Sequence, residues 1–187
     1  MNKKILLLLF ILSCLSAGSN FFSFKSKTVE QTPFSFDQLK KNKATVLVFL
    51  LVDCPASQSY TLTLNQLSSR YAKDSISIVG IFPGTFSKDQ ELIDFKNNYK
   101  IKFPLIVDPE MKIAKQLGAT IVPEAFLINS LGEIVYSGRI DDWMYALGKK
   151  RQVVRSRDLE NAIQAVILNK KILIHKTDAI GCILQYD

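Results

Sequence analysis

A nine-residue apolar segment at 44–52 constrains the fold more than any other feature of the sequence. It is rich in valine and leucine, which over this length is typical of a strand buried on both faces of a sheet. Residues 55–73 follow with apolar and aromatic side chains at helical spacing, namely Tyr60, Leu64, Leu67 and Tyr71. The sequence therefore predicts a buried strand that leads directly into an amphipathic helix.

Further elements alternate along the chain in an order that indicates the fold class. The patterns predict strands at 76–82, 103–107, 125–129 and 134–137, and helices at 88–99, 110–117 and around 159–166. A hairpin turn at 130–133 joins the last two strands. This order predicts an α/β domain with a central mixed β-sheet, parallel in its core and flanked by helices on both faces.

The N-terminus has the pattern of an export signal. Two lysines precede eight apolar residues at 5–12, a run too short to span a bilayer as a helix. Two processing routes fit the sequence: cleavage near 16–18, or lipidation of Cys14, since 11–14 resembles a bacterial lipobox. Both routes predict an exported protein of the cell envelope, either periplasmic or anchored to the membrane as a lipoprotein.

The chain divides into four segments on these patterns. Residues 1–18 are the signal peptide, which ends before Cys14 in the lipoprotein alternative, and residues 19–33 form an N-terminal arm or linker. Residues 34–169 form the folded domain, and residues 170–187 form a C-terminal tail that carries Cys182.

Composition excludes several classes of function. The formal charge of +7 is modest for 187 residues, and no RNA-binding aromatic motif accompanies it, so no nucleic-acid partner is expected. The sequence has no glycine-rich phosphate loop and no zinc-ligand spacing, so it predicts neither a cofactor nor a metal site. A metal site would require Cys54, Cys182 and the lone His175 to converge.

Cys54 is the candidate catalytic residue because of its place between strand and helix. Pro55 suits the first helical position, where its missing N–H has no intrahelical partner. Cys54 is then the N-cap, where the free N–H groups of Ala56 and Ser57 and the positive end of the helix dipole face its sulfur. A thiolate is stabilised in such a place, so we expect a lowered thiol pKa. The alternative is an inert, buried cysteine.

A second cysteine is needed for a complete redox cycle within the chain. Ser57 stands three residues after Cys54, so no Cys-x-x-Cys disulfide forms here. Cys54 either works alone through mixed disulfides or has a partner elsewhere in the chain. Cys14 is either removed or lipidated, which leaves Cys182 as the internal candidate for a resolving cysteine. The sequence is equally consistent with Cys182 as a buried cysteine in a docked tail.

Several motifs together resemble the thioredoxin-like redoxins, a group that includes the alkyl hydroperoxide reductase/thiol-specific antioxidant (AhpC/TSA) proteins and the TlpA-type exported oxidoreductases. These motifs are DCPxSxSY at 53–60, VPEAFL at 122–127, GRIDD at 138–142, LGKKR at 147–151 and AIGC at 179–182. The likeness covers about residues 30–187 and implies a thioredoxin-like fold.

The resemblance also implies roles for particular residues. Cys54 would be the disulfide-exchanging or peroxidatic thiol, and Cys182 a second redox centre. Pro123 would be a cis-proline packed beside Cys54, which presents the Val122 backbone to a bound partner. Pro55, Ser57 and Tyr60 would border the substrate together with Val122.

Departures from these families limit what can be carried over. The peroxiredoxin proline and threonine that precede the reactive cysteine are replaced by Leu47 and Leu51, which argues against efficient peroxidase activity. Ser57 replaces the second cysteine of the TlpA-type motif. The sequence predicts an exported thiol-disulfide oxidoreductase that acts on a protein or small-molecule disulfide, or on a peroxide, with an electron donor that the sequence does not identify. The alternatives are an atypical thiol peroxidase and a non-enzymatic metal-binding or protein-binding module.

Overall fold

The computed structural model describes residues 21–186. The predicted signal peptide and Cys14 lie outside this range. Within it, no helix combines the length and the apolar character needed to cross a membrane.

Eleven strands and four α-helices form the described part of the chain. The strands are β1 (Lys25–Thr28), β2 (Pro33–Ser35), β3 (Ala44–Phe49), β4 (Ile76–Pro83), β5 (Leu105–Asp108), β6 (Ile121–Val122), β7 (Glu124–Asn129), β8 (Ile134–Gly138), β9 (Met144–Ala146), β10 (Lys149–Lys150) and β11 (Cys182–Ile183). The helices are α1 (Pro55–Tyr71), α2 (Asp89–Asn98), α3 (Lys112–Leu117) and α4 (Asp158–Ile167).

Seven strands form the central sheet in the order β2-β1-β5-β4-β3-β7-β8. Strands β3, β4 and β5 are parallel, while β1, β2, β7 and β8 pair antiparallel. All six residues of β3 are buried, as its unbroken apolar composition requires. The prediction of a mixed sheet flanked by helices is confirmed, and the bounds of its elements differ from the sequence patterns by a few residues.

The helix after β3 begins at Pro55 as the sequence predicts. Proline is tolerated there because the first helical N–H has no partner within the helix. The side chains that α1 buries recur every three or four residues: Ala56, Ser57, Tyr60, Thr61, Leu64, Leu67 and Tyr71. This face packs on the sheet at β4 and fixes the direction in which the helix leaves Cys54.

The expectation of an N-terminal arm or linker at 19–33 is wrong for its described part, residues 21–33. Strand β1 joins the central sheet by pairing with β5, and β2 adds a further strand outside it. Val29, in the turn between them, is fully buried and donates its backbone N–H to the oxygen of Leu105 at 2.9 Å. The sequence conceals this strand because β1, Lys25–Thr28, consists of lysine, serine and threonine and is held by backbone pairing.

Aromatic side chains attach the start of the described chain to the same core. The ring of Phe21 meets Phe22 and Phe36 edge to face, with centroids 5.1 and 5.3 Å apart. All three side chains are buried. Residues 21–36 therefore belong to the folded domain.

We expect Val29→Ala to lower the free energy of unfolding by about 2 kcal/mol, because it removes two buried methyl groups and leaves a cavity. Chemical denaturation followed by circular dichroism measures the change. Val153 is 72% exposed and provides the control, since Val153→Ala should change the stability by less than about 0.5 kcal/mol. Equal effects at the two positions would show that the N-terminal strands do not contribute to the core.

Candidate active site at the Cys54–Cys182 disulfide

Residues 50–54 form a short loop that carries Cys54 from β3 to α1. The loop begins with the N–H of Leu50 donating to the oxygen of Ile81 on β4 at 2.9 Å. The N–H of Leu51 then donates to the hydroxyl of Ser57 at 3.2 Å. Ser57 is fully buried, so its hydroxyl holds the loop in this structure and does not face solvent.

Cys54 is the N-cap residue of α1, with φ −85° and ψ 113°. Its sulfur accepts no hydrogen bond from the first N–H groups of the helix, in contrast to the expected arrangement with Ala56 and Ser57. The sulfur is instead bonded to Cys182 and lies 3.3 Å from the carbonyl oxygen of Val122. With 2% of its surface exposed, Cys54 is covered in this oxidised state.

The disulfide joins two positions that are 128 residues apart in the chain. The Cα atoms of Cys54 and Cys182 are 6.1 Å apart, a usual separation for a disulfide. The sequence left two alternatives for Cys182, a resolving cysteine or a buried one in a docked tail. The structure places it on β11, half-buried and in covalent contact with Cys54.

Val122 and Pro123 reach Cys54 through the register of the sheet. Strand β7 runs antiparallel to β3 with Glu124 opposite Phe49, so the residues before β7 lie beside the loop that follows β3. The Val122–Pro123 peptide bond is cis, as the family resemblance implies. Val122 is fully buried.

Glu124 holds this turn in place, and the sequence analysis did not identify it. The carboxylate is buried, and its Oε2 accepts hydrogen bonds from the N–H of Thr120 at 2.9 Å and of Ile121 at 3.5 Å. It thus satisfies backbone donors next to β6. A signal was present in the sequence, because a carboxylate at the start of a buried apolar strand needs partners.

Tyr60 connects α1 to the segment after β8. Its hydroxyl donates to Oδ1 of Asp141 at 2.8 Å and accepts from the N–H of Met144 at 3.3 Å. Burial raises the pKa of the Asp141 carboxyl, and burial together with the nearby Asp141 charge raises the pKa of the Tyr60 phenol. Tyr60 is 3% exposed, so in this structure its polar group binds the protein itself.

The hairpin of β9 and β10 covers the first turns of α1 and carries positive charge. Lys150 Nζ donates to the hydroxyl of Ser59 at 2.9 Å and lies 4.5 Å from the centre of the Trp143 ring. Trp143 in turn packs edge to face on Tyr60, with centroids 5.7 Å apart. Lys149 and Lys150 are exposed on this hairpin and form a basic rim beside the start of α1.

His175 does not join Cys54 and Cys182, so the three residues that a metal site would have required do not form one group. His175 is exposed, and its Nδ1 lies 3.0 Å from the backbone oxygen of Val135 on β8. Across residues 21–186, no three histidine, cysteine or acidic side chains form a group that could hold a metal ion.

Family comparison agrees with the fold. Residues 17–137 match the AhpC/TSA family, and this is more than half of the chain. The chain therefore belongs to the AhpC/TSA family. Cys54 and Pro123 lie inside the matched range, whereas Cys182 lies beyond its end.

Two curated Bacillus proteins are related in sequence. Sporulation thiol-disulfide oxidoreductase A of Bacillus subtilis is 26% identical over 112 residues, which cover 59% of this chain and 67% of the relative. Thiol-disulfide oxidoreductase ResA of Bacillus thuringiensis is 27% identical over 95 residues, which cover 51% of this chain and 54% of the relative. The chain thus spans about half the length of ResA.

Solved structures share the fold. A hypothetical protein from Sinorhizobium meliloti superposes with a TM-score of 0.79 at 24% identity, covering 88% of this chain and 91% of that one. A secreted disulfide oxidoreductase of Mycobacterium tuberculosis superposes with a TM-score of 0.59 at 16% identity, covering 81% and 98%. The fold is thioredoxin-like.

We expect Tyr60→Phe to lower the free energy of unfolding at neutral pH by about 1–3 kcal/mol, because it removes a donor from the buried Asp141 carboxylate. The pKa of Asp141 is already raised in the folded state, and losing this donor raises it further. The destabilisation should therefore be complete above the folded-state pKa that Asp141 has in the variant. It should decrease as the pH falls from that value towards the pKa of Asp141 in the wild type.

Denaturation of both proteins across a pH series measures this difference. Tyr145→Phe is the control, since Tyr145 lies on β9 next to Met144 and is 50% exposed. A cost for Tyr60→Phe that does not change with pH would contradict the assigned contact with Asp141.

We expect a reducing agent to lower the stability of the protein markedly. A disulfide that closes so long a loop restricts the unfolded chain and contributes up to about 5 kcal/mol in the chain-entropy treatment. For a domain of this size that corresponds to a fall in Tm of about 10 °C or more. Calorimetry with and without dithiothreitol measures it, and the Tm of Cys182→Ser should not respond to the reductant.

Proposed function

We propose that this chain is an exported thiol-disulfide oxidoreductase whose redox pair is Cys54 and Cys182. The observation that carries the proposal is the disulfide between these cysteines, at the N-terminus of α1 and beside the cis Val122–Pro123 bond. Membership in the AhpC/TSA family and the two related Bacillus thiol-disulfide oxidoreductases support it.

The reaction transfers two electrons from the Cys54 and Cys182 thiols to a substrate disulfide. In the reduced protein, the Cys54 thiolate attacks one sulfur of a substrate disulfide, forms a mixed disulfide and releases the other substrate sulfur as a thiolate. The Cys182 thiolate then attacks the Cys54 sulfur and releases the second substrate thiolate, which leaves the Cys54–Cys182 disulfide. The substrate disulfide has gained two electrons, and an external dithiol restores the reduced protein.

The surroundings of Cys54 favour its part in this exchange. Once the disulfide opens, the positive end of the α1 dipole acts on the sulfur and stabilises the thiolate. The same effect makes Cys54 a good leaving group when a thiol attacks Cys182, because a thiol of low pKa leaves faster. The Val122 oxygen, 3.3 Å from the sulfur, can accept a hydrogen bond from the protonated Cys54 thiol, and this contact opposes the effect of the dipole because it stabilises the neutral form.

The residues predicted to border the substrate divide into two groups. Pro55 directly follows Cys54 and is exposed, and the Val122 carbonyl oxygen, just before Pro123, lies 3.3 Å from the Cys54 sulfur. Ser57 and Tyr60 act indirectly, since the Ser57 hydroxyl binds the 50–54 loop and the Tyr60 hydroxyl binds Asp141. We assign the first group to substrate contact and the second to positioning.

The apolar segment at 5–12 after two lysines supports export. The position of Cys14 at its end supports a lipid anchor over simple cleavage. The intact mass of the mature protein, purified from a bacterial envelope fraction, tests both assignments. A mass that begins at Cys14 with added acyl chains supports the anchor, and a mass that begins after 16–18 contradicts it.

We expect Cys54→Ser to lose all exchange with glutathione disulfide, because the attacking sulfur is gone. Cys182→Ser should instead form a stable mixed disulfide at Cys54 and stop after one turnover, since no second thiol releases it. Mass spectrometry after acid quenching and alkylation measures the species formed. Full exchange activity in Cys54→Ser would contradict the proposal.

Peroxide provides the contrasting substrate. Leu47 is fully buried, and neither Leu47 nor Leu51 offers a side-chain hydrogen bond to a peroxide. We therefore expect wild-type protein to react with hydrogen peroxide more slowly than with a disulfide. Faster consumption of peroxide that depends on both cysteines would favour the thiol peroxidase instead.

A further inference from the structure

The edge of β6 next to Cys54 is occupied by the chain's own tail. Strand β11 pairs antiparallel with β6, with Cys182 opposite Val122 and Ile183 opposite Ile121. The N–H of Leu184 then donates to the oxygen of Thr120 at 2.9 Å. The tail therefore lies on the cis-proline turn as an added strand, in the manner of an extended peptide that binds a sheet edge.

The tail is also attached further back, at a place that does not depend on the disulfide. The N–H of Thr177 donates to the oxygen of Ser137 at 3.0 Å, and the N–H of Ser137 donates to the oxygen of His175 at 2.9 Å. The hydroxyls of Thr177 and Tyr136 are 2.7 Å apart. When the disulfide is reduced, residues 178–186 can leave β6 while the chain remains held at Thr177.

Gly181 is the point of closest approach between the tail and the cis-proline turn. A Cβ atom at this position would lie 2.7 Å from the carbonyl carbon of Val122 and 3.1 Å from the nitrogen of Pro123. These are backbone atoms of a buried turn, so they cannot move aside as a flexible side chain can. A strand that brings its cysteine to Cys54 in this register therefore needs glycine immediately before that cysteine.

The residue two places after the cysteine anchors the strand on its inner side. Leu184 is 4% exposed, whereas Ile183, between it and Cys182, is 74% exposed. This alternation is that of a strand with one face on the protein. The tail thus presents a pattern of glycine, cysteine, any residue and a large apolar residue to the β6 edge.

We infer that residues 178–186 are an internal copy of the ligand of the β6 edge, and that this edge selects extended segments of the pattern Gly-Cys-x-apolar. The partner class is a protein whose cysteine lies in an exposed, extended stretch. The inference rests on the proposed function for the chemistry at Cys54 and adds to it the selection of the substrate.

The internal copy must leave before an external segment can bind. Four residues separate the attachment at Thr177 from Cys182, so the tail competes at an effective concentration that is of millimolar order for a short flexible link. Weakening the contact between the tail and β6 should therefore raise the rate at which Cys54 reacts with an external peptide. The tail would then determine which proteins react as well as resolve the mixed disulfide.

The test uses the full chain with Cys182→Ser, so that each reaction stops at the mixed disulfide. The probe is a synthetic nonapeptide that copies residues 178–186, supplied as its disulfide-linked dimer. The Cys54 thiolate attacks this dimer, one peptide stays bound and the other leaves as a thiolate. The matched probe has alanine in place of the glycine, and its rate should be lower by a factor of about ten or more.

A second comparison tests the competition by the tail. Adding Gly181→Ala to Cys182→Ser should lift the tail from β6 and raise the rate with the glycine peptide severalfold. Adding Leu173→Ala, which lies before the attachment at Thr177 and is 87% exposed, should leave the rate unchanged. A rate that does not respond to Gly181→Ala would overturn the inference that the tail competes with an external peptide for β6.

The outcomes separate this inference from the proposed function. If both peptides and glutathione disulfide all react with Cys54 at similar rates, the exchange chemistry stands and selective docking on β6 is overturned. If neither peptide nor glutathione disulfide reacts, the proposed function itself fails. A glycine peptide that reacts faster than both the alanine peptide and glutathione disulfide supports selective docking on β6.

Discussion

Strand β3 is hydrogen-bonded to β4 on one side and to β7 on the other, and the site is assembled by these two pairings. The parallel pairing with β4 continues past the strand into the loop that carries Cys54, through the bond from Leu50 to Ile81. The antiparallel pairing with β7 brings Val122 and Pro123 back to that loop. Because all of β3 is buried, a shift in its register would expose apolar side chains or separate the two halves of the site.

The tail closes the site by three kinds of interaction that support one another. Backbone pairing with β6 sets its register, burial of Leu184 fixes its inner face, and the disulfide to Cys54 locks it covalently. Such a closure is reversible at a single bond, since reduction removes the covalent link and leaves a short strand that pairs over two residues. Local opening of this segment therefore costs less than unfolding of the domain.

Much of the fold could be predicted because its elements carry local patterns. The continuous apolar run of β3 and the spaced side chains of α1 indicate a buried strand and a helix without knowledge of any neighbour. The N-terminal strands could not be predicted in this way. Strand β1 has a polar sequence and exists because β5 offers it backbone partners, and β9 and β10 likewise depend on Tyr60 and Asp141 for their place.

The sequence by itself determined that Cys54 stands between a buried strand and a helix, since this follows from residues next to it in the chain. Only the tertiary structure decided what surrounds the sulfur. The Val122 oxygen is 68 residues away and Cys182 is 128 residues away, and both contacts arise from pairing between backbones. Backbone hydrogen bonds are available to almost any sequence, so their partners depend on how the whole chain packs. Gly181 illustrates this limit, because the reason that only glycine fits there appears only when the tail lies against Val122 and Pro123.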